Sequence, residues 1–305
     1  MAARVWRARA GRAYSARMTT QDEPTSHHFT SQGVKLHYLD WGNSDAPTLL
    51  LIHGTRDHAR SWDWTARALR DRWHVVALDL RGHGDSEWPP DGAYLLPYHL
   101  LDILEMIELL GPAPVTVVAH SFGGNVVARY AGIYPERIRK IVFVDSLGPT
   151  PDNYGNWAKE GPVKRSRDWI AQRRDAGLMQ PRRLASIEDG AARMRKTNPR
   201  LTEDQALHLA SHGLRKFEDG YSWKFDPRVS MFAPEDFAVQ GSFYWREITA
   251  PALILYGRKS WTSDPVADGR AAFFQHKRCV TFEDAGHWIH HDVLDEFLRL
   301  LNEFL

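Results

Sequence analysis

The chain has 305 residues, enough for one α/β core with an inserted lobe but short for two large independent domains. Its 39 lysines and arginines balance 38 aspartates and glutamates, so charge gives no reason to expect a nucleic-acid partner. No run approaches the roughly 20 apolar residues of a membrane-spanning helix. The single cysteine, Cys279, excludes an intrachain disulfide and, in its apolar surroundings, reads as a small core residue.

Residues 1–17 carry several arginines, no acid and none of the apolar stretch of a secretory signal. They read as an extension ahead of a start near Met18 or as a basic tail. An organelle transit peptide is the less favoured reading, and the expected location is cytoplasmic. Residues 18–27 are polar, so a disordered tail is expected over 1–28. Phe29 to Trp41 then alternates apolar and polar residues around Gly33, as in an antiparallel hairpin.

Leu49–Ile52 is a continuous apolar run, the pattern of a strand buried on both faces. It runs into His53-Gly54-Thr55. Ser61–Leu69 reads as a helix. Val75–Leu78 is a second buried strand, ending in Asp79-Leu80-Arg81-Gly82-His83-Gly84-Asp85-Ser86. Tyr98–Leu110 is a helix with Leu101, Leu104, Ile107 and Leu110 on one face, stopped by Gly111. Pro114–Val118 is the next strand, Asn125–Ala131 a helix, and Ile141–Val144 a strand ending at Asp145. From Ser146 the rhythm breaks for about 100 residues rich in arginine, tryptophan and short helical patterns. It resumes with a strand at Ala252–Tyr256, a helix over Pro265–Phe274, a strand at Val280–Glu283 and an amphipathic helix from His290 to Leu305.

Alternating strands and helices imply a doubly wound, mostly parallel sheet with right-handed crossovers. The expected division is a core of residues 29–145 and 250–305 with a helical cap of 146–249 inserted between them. There is no internal repeat.

The stretch Ala119-His120-Ser121-Phe122-Gly123-Gly124 joins a buried strand to a helix. A serine there, with small residues two positions away on each side, has the form of a nucleophile elbow: the turn is so tight that larger neighbours would collide and the hydroxyl stands clear. Ala119 replaces the usual glycine.

Together with Leu-Ile-His-Gly at 51–54, the Asp79–Ser86 segment, Tyr-Pro-Glu-Arg-Ile at 134–138 and Ala-Gly-His-Trp at 285–288, this stretch makes residues 29–305 resemble an α/β-hydrolase with a cap domain. The resemblance implies a nucleophile, an acid and a histidine in that order. Ser121 and His287 match the first and last. It implies an oxyanion hole made by the backbone N–H groups of Thr55 and Phe122. The acid is usually an aspartate three residues after the glycine that ends the strand at 252–256, but Ser260 stands there. Asp145 and Asp264 are both open as the acid. The departure at Ser260 favours Asp145, since some members place the acid after that earlier strand. Asp264 before Pro265 also reads as a helix cap.

These residues point to a serine hydrolase that cleaves a carboxylic ester or related acyl bond of a small, largely apolar substrate without a cofactor. Serine at the elbow argues against relatives that use aspartate there, the epoxide hydrolases and haloalkane dehalogenases. Other readings remain: a carbon–carbon bond hydrolase, a cofactor-free dioxygenase, or a non-catalytic receptor or scaffold on the same fold. Arg56, Trp62, Tyr154, Trp157, Trp223 and Trp245 are candidates for the pocket wall. The other histidines lack a recognisable metal-ligand spacing, so no metal is expected. His53 and His83 read as parts of structural loops, and His290 and His291 as cap-facing or helix-start residues. The expected partner is a small-molecule substrate, and the oligomeric state is left open.

Overall fold

The computed structural model describes residues 23–178 and 183–305. The expectations for residues 1–17 lie outside them. Ten strands occur among the described residues: β1 (Thr25–Ser31), β2 (Val34–Asp40), β3 (Thr48–Ile52), β4 (His74–Leu78), β5 (Val115–His120), β6 (Ile138–Val144), β7 (Leu214–Phe217), β8 (Gly220–Trp223), β9 (Ala252–Gly257) and β10 (Lys277–Phe282). Eight of them form one sheet in the order β1-β2-β4-β3-β5-β6-β9-β10. β1, β2 and β4 pair antiparallel, and every pair from β4 to β10 is parallel.

Thr25–His28, which their polar composition assigned to the expected tail over 1–28, belong to β1. This edge strand pairs through its backbone, His27 opposite Tyr38 and His28 opposite His37, with its side chains largely exposed. Backbone pairing at an edge requires no apolar pattern, and the sequence signal is correspondingly absent. The β1–β2 turn has Gln32 at φ 49° and Gly33 at φ 76°. Two positive φ values in a two-residue loop match the right-handed twist of the flanking strands.

The parallel strands are buried on both faces. Leu50, Ile52, Val76, Leu78, Val117, Ala119, Ile141, Phe143 and Ile254 belong to one core. Leu49, Leu51, Val75, Ala77, Val118, Val142, Val144, Leu253 and Leu255 belong to the other. Successive residues alternate between the two, as the period of a strand demands. Helices α1 (Asp63–Leu69), α2 (Leu96–Leu109) and α3 (Ser121–Ile133) cross between strands. The buried face of α2 carries Ile107 of the expected stripe together with Ile103 and Met106, while Leu101, Leu104 and Leu110 are only partly buried. Asp102 turns inward on that face because Arg81 meets it with two 2.6 Å hydrogen bonds.

Between β6 and β9 the chain forms α4 (Pro151–Glu160), α5 (Pro162–Leu178), α6 (Ile187–Thr197), α7 (Glu203–Gly213), the β7–β8 hairpin and α8 (Ser242–Trp245). Part of this segment has a core of its own, built on Leu184, Ala191, Leu201, Ala206, Leu209, Ala210 and Leu214. The hairpin was not visible as a buried strand because β7 and β8 are short and Arg215–Phe217 are exposed. The chain just after it is tied to the loop that follows β4: Lys224 Nζ donates to Asp85 at 2.8 Å, and the Asp226 N–H donates to the Gly82 carbonyl at 2.8 Å.

Pro265–Phe274 is not the helix its sequence suggests. It is a series of turns closing in a 3-10 turn at Arg270–Phe273. Gly269 sits at φ 84°, and Arg270 reaches the Leu147 and Gly148 carbonyls at 2.7 and 3.2 Å. These contacts outweigh the weak local propensity. The terminal helix is divided into α9 (Ile289–Asp292) and α10 (Leu294–Phe304), with Phe297, Leu298 and Leu301 buried.

Candidate active site

β5 runs straight into α3, and the junction is Ser121. His120 is extended (φ −101°, ψ 139°), whereas Ser121 has φ 51°, a region that a side chain other than glycine rarely occupies. Small neighbours make this turn possible. A Cβ on Gly123 would lie 2.3 Å from the His53 carbonyl oxygen, and one on Gly54 would lie 2.8 Å from the Ser121 Cβ. The elbow and the loop after β3 are therefore in close contact, which brings Thr55 beside Ser121.

β6 ends one strand away. Asp145, the next residue, has φ 46° and donates its N–H to the Leu255 carbonyl at 2.9 Å. Its Oδ2 lies 2.5 Å from His287 Nδ1 and accepts from the Ser260 hydroxyl at 2.6 Å. Its Oδ1 accepts from the Thr262 hydroxyl at 3.1 Å. Both members of the His287–Asp145 pair are buried. The His287 loop is pressed onto the end of β9, since a Cβ on Gly257 would meet the Gly286 carbonyl oxygen at 2.0 Å.

Asp264 is elsewhere. It accepts from the Val266 N–H at 2.9 Å and pairs with Arg258 at 3.3 Å. The position where the resemblance expects the acid is thus filled by Ser260, whose hydroxyl touches the carboxylate that stands after β6.

Ser121, His287, Asp145, Thr55 and Phe122 border one cavity of about 300 Å³. Phe122 lies in the first turn of α3, where backbone N–H groups have no intrahelical acceptor. Of the expected wall residues, Trp157 lines this cavity. Arg56 and Trp223 line a second one of about 780 Å³, which shares Thr55 and Trp261 with the first. Tyr154 packs behind Trp157 at 5.4 Å between ring centres. Trp62 and Trp245 are core residues instead. Trp62 is fully buried against His290, and Trp245 stacks on Phe274.

Sequence reasoning missed Phe232, Phe237 and Trp261, which also border the first cavity. Trp261 lies 4.2 Å from the His287 ring, centre to centre. Its place directly after Ser260, in the loop where the acid was sought, was the available signal. Phe232 and Phe237 belong to an irregular stretch with no periodicity to mark them.

The surroundings of the site are rich in buried histidine. His120 Nε2 meets the His287 carbonyl at 3.0 Å. Burial holds His53 and His58 down to about 4 and His83 and His291 down to about 3, and it keeps His99, His120 and His290 well below the ordinary range. All of these are neutral near pH 7. His290 and His291 are buried in α9, at the start of the terminal helical stretch as expected, and the His291 carbonyl accepts from Gln205 Nε2 of the inserted segment at 3.1 Å. Asp79 anchors the loop after β4. Burial opposes its charge, but His37, with Nδ1 2.7 Å away, leads the groups that hold its carboxyl below the usual range. Its Oδ1 also receives the Ala59 N–H at 2.6 Å.

Comparison with known proteins gives a consistent family. The model of the α/β hydrolase fold matches residues 47–293. A serine hydrolase-like protein of Danio rerio is 28% identical over 196 residues, 63% of this chain and 58% of its own. Epoxide hydrolase 4 of Mus musculus is 33% identical over 119 residues, 39% of this chain and 33% of its own. A bifunctional esterase/perhydrolase of Acinetobacter calcoaceticus is 36% identical over 124 residues, 39% of this chain and 44% of its own. The chain therefore spans less than two thirds of the length of each of these relatives. Among solved structures, the thioesterase domain from the curacin biosynthetic pathway superimposes with a TM-score of 0.78 at 21% identity, covering 92% of this chain and 99% of that domain. An esterase of Mycobacterium tuberculosis superimposes with a TM-score of 0.69 at 22% identity, covering 92% and 90%. With its sheet order, its strand-to-helix elbow and a family match that runs through most of the chain, this protein belongs to the α/β hydrolase fold family.

Proposed function

We propose that the protein is a serine hydrolase that cleaves an ester or related acyl bond of a small, largely apolar substrate. The observation that carries the reading is Ser121 on its strained turn, sharing a cavity with His287, whose Nδ1 lies 2.5 Å from Asp145. In the proposed reaction His287 Nε2 takes the Ser121 proton as Oγ attacks the acyl carbon. Asp145 accepts the Nδ1–H hydrogen bond, which fixes the tautomer and stabilises the imidazolium. The backbone N–H groups of Thr55 and Phe122 receive the oxyanion. His287 then protonates the leaving group, and a water deprotonated by His287 releases the acid. The segment 146–249 acts as a cap, and its Trp157, Phe232 and Phe237 give the acyl pocket an apolar wall.

The elbow residue also bears on the epoxide-hydrolase relatives. A serine that opened an epoxide would be left as an ether, which a histidine-activated water does not cleave. An acyl-serine is an ester and turns over. Serine at position 121 therefore favours acyl substrates.

The test is a fluorophosphonate label together with a chromogenic ester panel of graded acyl length. Wild-type protein should label and hydrolyse short or medium esters. Ser121→Ala should not label, and Ser121→Ala and His287→Ala should each lose several orders of magnitude in kcat, as members acting as a unit do. Wild-type protein that neither labels nor hydrolyses any ester would falsify the reading and return the non-catalytic one.

A further inference from the structure

Three segments far apart in the sequence converge beside the elbow: the loop after β3 supplies Asp57, the end of β5 supplies His120, and α9 supplies His290. One ligand-capable atom from each lies within 4.8 Å of the other two. The polar atoms there have no partner. Asp57 Oδ2, His120 Nδ1 and both ring nitrogens of His290 are buried without a hydrogen bond, and the two histidines are 2% and 1% exposed. Unpaired polar atoms rarely collect in one place inside a fold, because each one costs stability unless something fills it.

The side chains are also oriented. His120 Nε2 faces the His287 carbonyl at 3.0 Å, so Nε2 carries the proton and Nδ1 presents its lone pair to the cluster. The His58 N–H donates to Asp57 Oδ1 at 2.9 Å, and the Ser61 hydroxyl also acts on this carboxyl. Trp62 stacks on the His290 ring at 4.4 Å. The charged or titratable groups that act on Asp57 and His290 are Asp79, His291, His120 and His287, with no lysine or arginine among them.

Two other groupings of similar composition differ on this point. Asp63, near His208 and His212, already has Arg60 at 3.0 Å and Arg67 at 3.6 Å. Asp79, near His37 and Asp85, is saturated by His37 and by the N–H groups of Ala59 and Asp85.

We propose that Asp57, His120 and His290 form a binding site for a transition-metal dication of the zinc class. Two imidazole nitrogens and one carboxylate oxygen suit such an ion, and a water would complete a four-coordinate shell. A tetrahedral zinc site needs ligand atoms about 3.4 Å apart, so from a spacing of up to 4.8 Å these side chains would have to draw inward on binding. Of the three, Asp57 borders the cavity of about 780 Å³, the side from which an ion would have to enter. Occupancy would set a double positive charge next to His287, whose ring centre is 4.6 Å from that of His120. The charge opposes formation of the imidazolium, so the bound ion acts as an inhibitor. This consequence rests on the hydrolase reading above, whereas binding itself does not.

The experiment uses the full chain, stripped with chelator and titrated with Co²⁺ as a visible probe. Wild-type protein should take up one ion per chain with the intense absorption of a four-coordinate site, and Zn²⁺ should displace it. His290→Gln and Asp57→Asn, checked for folding by melting, should each weaken uptake at least tenfold, while His287→Ala retains it. Zn²⁺ should lower wild-type ester turnover several-fold, and the ratio of turnover with and without Zn²⁺ should return towards one in His290→Gln. Absence of stoichiometric uptake by the wild type overturns the site. So does uptake that is lost in His287→Ala but kept in His290→Gln and Asp57→Asn, since the ion would then sit on the cavity histidine.

Discussion

At the scale of single residues, the informative feature is the carboxylate after β6. Asp145 accepts from His287 Nδ1, Ser260 and Thr262, three hydrogen bonds that aim the carboxylate. Asp264 instead accepts local backbone N–H groups and faces Arg258. Under the proposed mechanism, Asp145→Asn should reduce kcat by on the order of 10³–10⁴ by giving His287 the wrong tautomer. Asp264→Asn should keep most of the activity. Ser260→Ala should cost about tenfold, the value of one hydrogen bond to a charged group. Because Ser260 and Asp145 touch, the double exchange Asp145→Ser with Ser260→Asp should recover activity over Asp145→Ser alone. Steady-state kinetics on one ester decide these points. An Asp264→Asn loss that exceeds the Asp145→Asn loss would overturn the assignment.

At the scale of elements, the site depends on how closely β3, β5, β9 and the loop after β10 approach one another at their carboxyl ends. Glycines permit the approach. A methyl group at position 123 would stand 2.3 Å from the His53 carbonyl oxygen, a backbone atom that cannot rotate away. Gly123→Ala should therefore destabilise the fold by about 1–3 kcal/mol. It should also lower kcat by displacing the loop that carries Thr55. Gly155→Ala is the control, because its added methyl meets nothing within 4 Å and it lies in the exposed helix α4. Thermal melting of the two variants tests the argument, and equal melting temperatures would refute it. A similar dependence on neighbours explains why Pro265–Phe274 forms turns: Arg270 is drawn to the Leu147 and Gly148 carbonyls rather than to a helix surface.

At the scale of the whole molecule, the concentration of buried neutral histidines makes stability depend on pH. His53 and His58 titrate at about 4 and His83 and His291 at about 3 in the folded chain, against an ordinary 6.5. Burial is the leading cause in each. Above pH 6.5 neither the folded nor the unfolded chain protonates them, and their neutrality costs nothing. Below it the unfolded chain binds protons that the folded chain refuses, so stability falls as the pH drops from about 6.5 to about 4. Melting temperature should decline steadily between pH 7 and pH 5, before carboxylates become protonated in large number. A flat profile over that range would show that these rings are hydrated in solution.

The sequence alone was enough to identify the sheet and the elbow. Buried parallel strands must be apolar on both faces, so Leu49–Ile52, Val75–Leu78 and Ile141–Val144 are legible without their partners. Ser121 and His287 stand out because a strained turn and a loop over the strand ends tolerate few residue types. Other features depend on groups brought together across the chain. Asp145 and Ser260 are separated by 115 residues yet share a hydrogen bond. The buried face of α2 hides Asp102 against Arg81 of the loop after β4, and β1 is held by backbone pairing that leaves no side-chain pattern. The cavity walls at Phe232 and Phe237 come from irregular chain, where no period marks the inward face. Asp57, His120 and His290 have no ligand spacing in sequence, since a loop, a strand end and a short helix deliver them separately. Local periodicity records which face of an element is buried, but it does not record which elements meet at their ends, and that meeting is where the chemistry of this protein is decided.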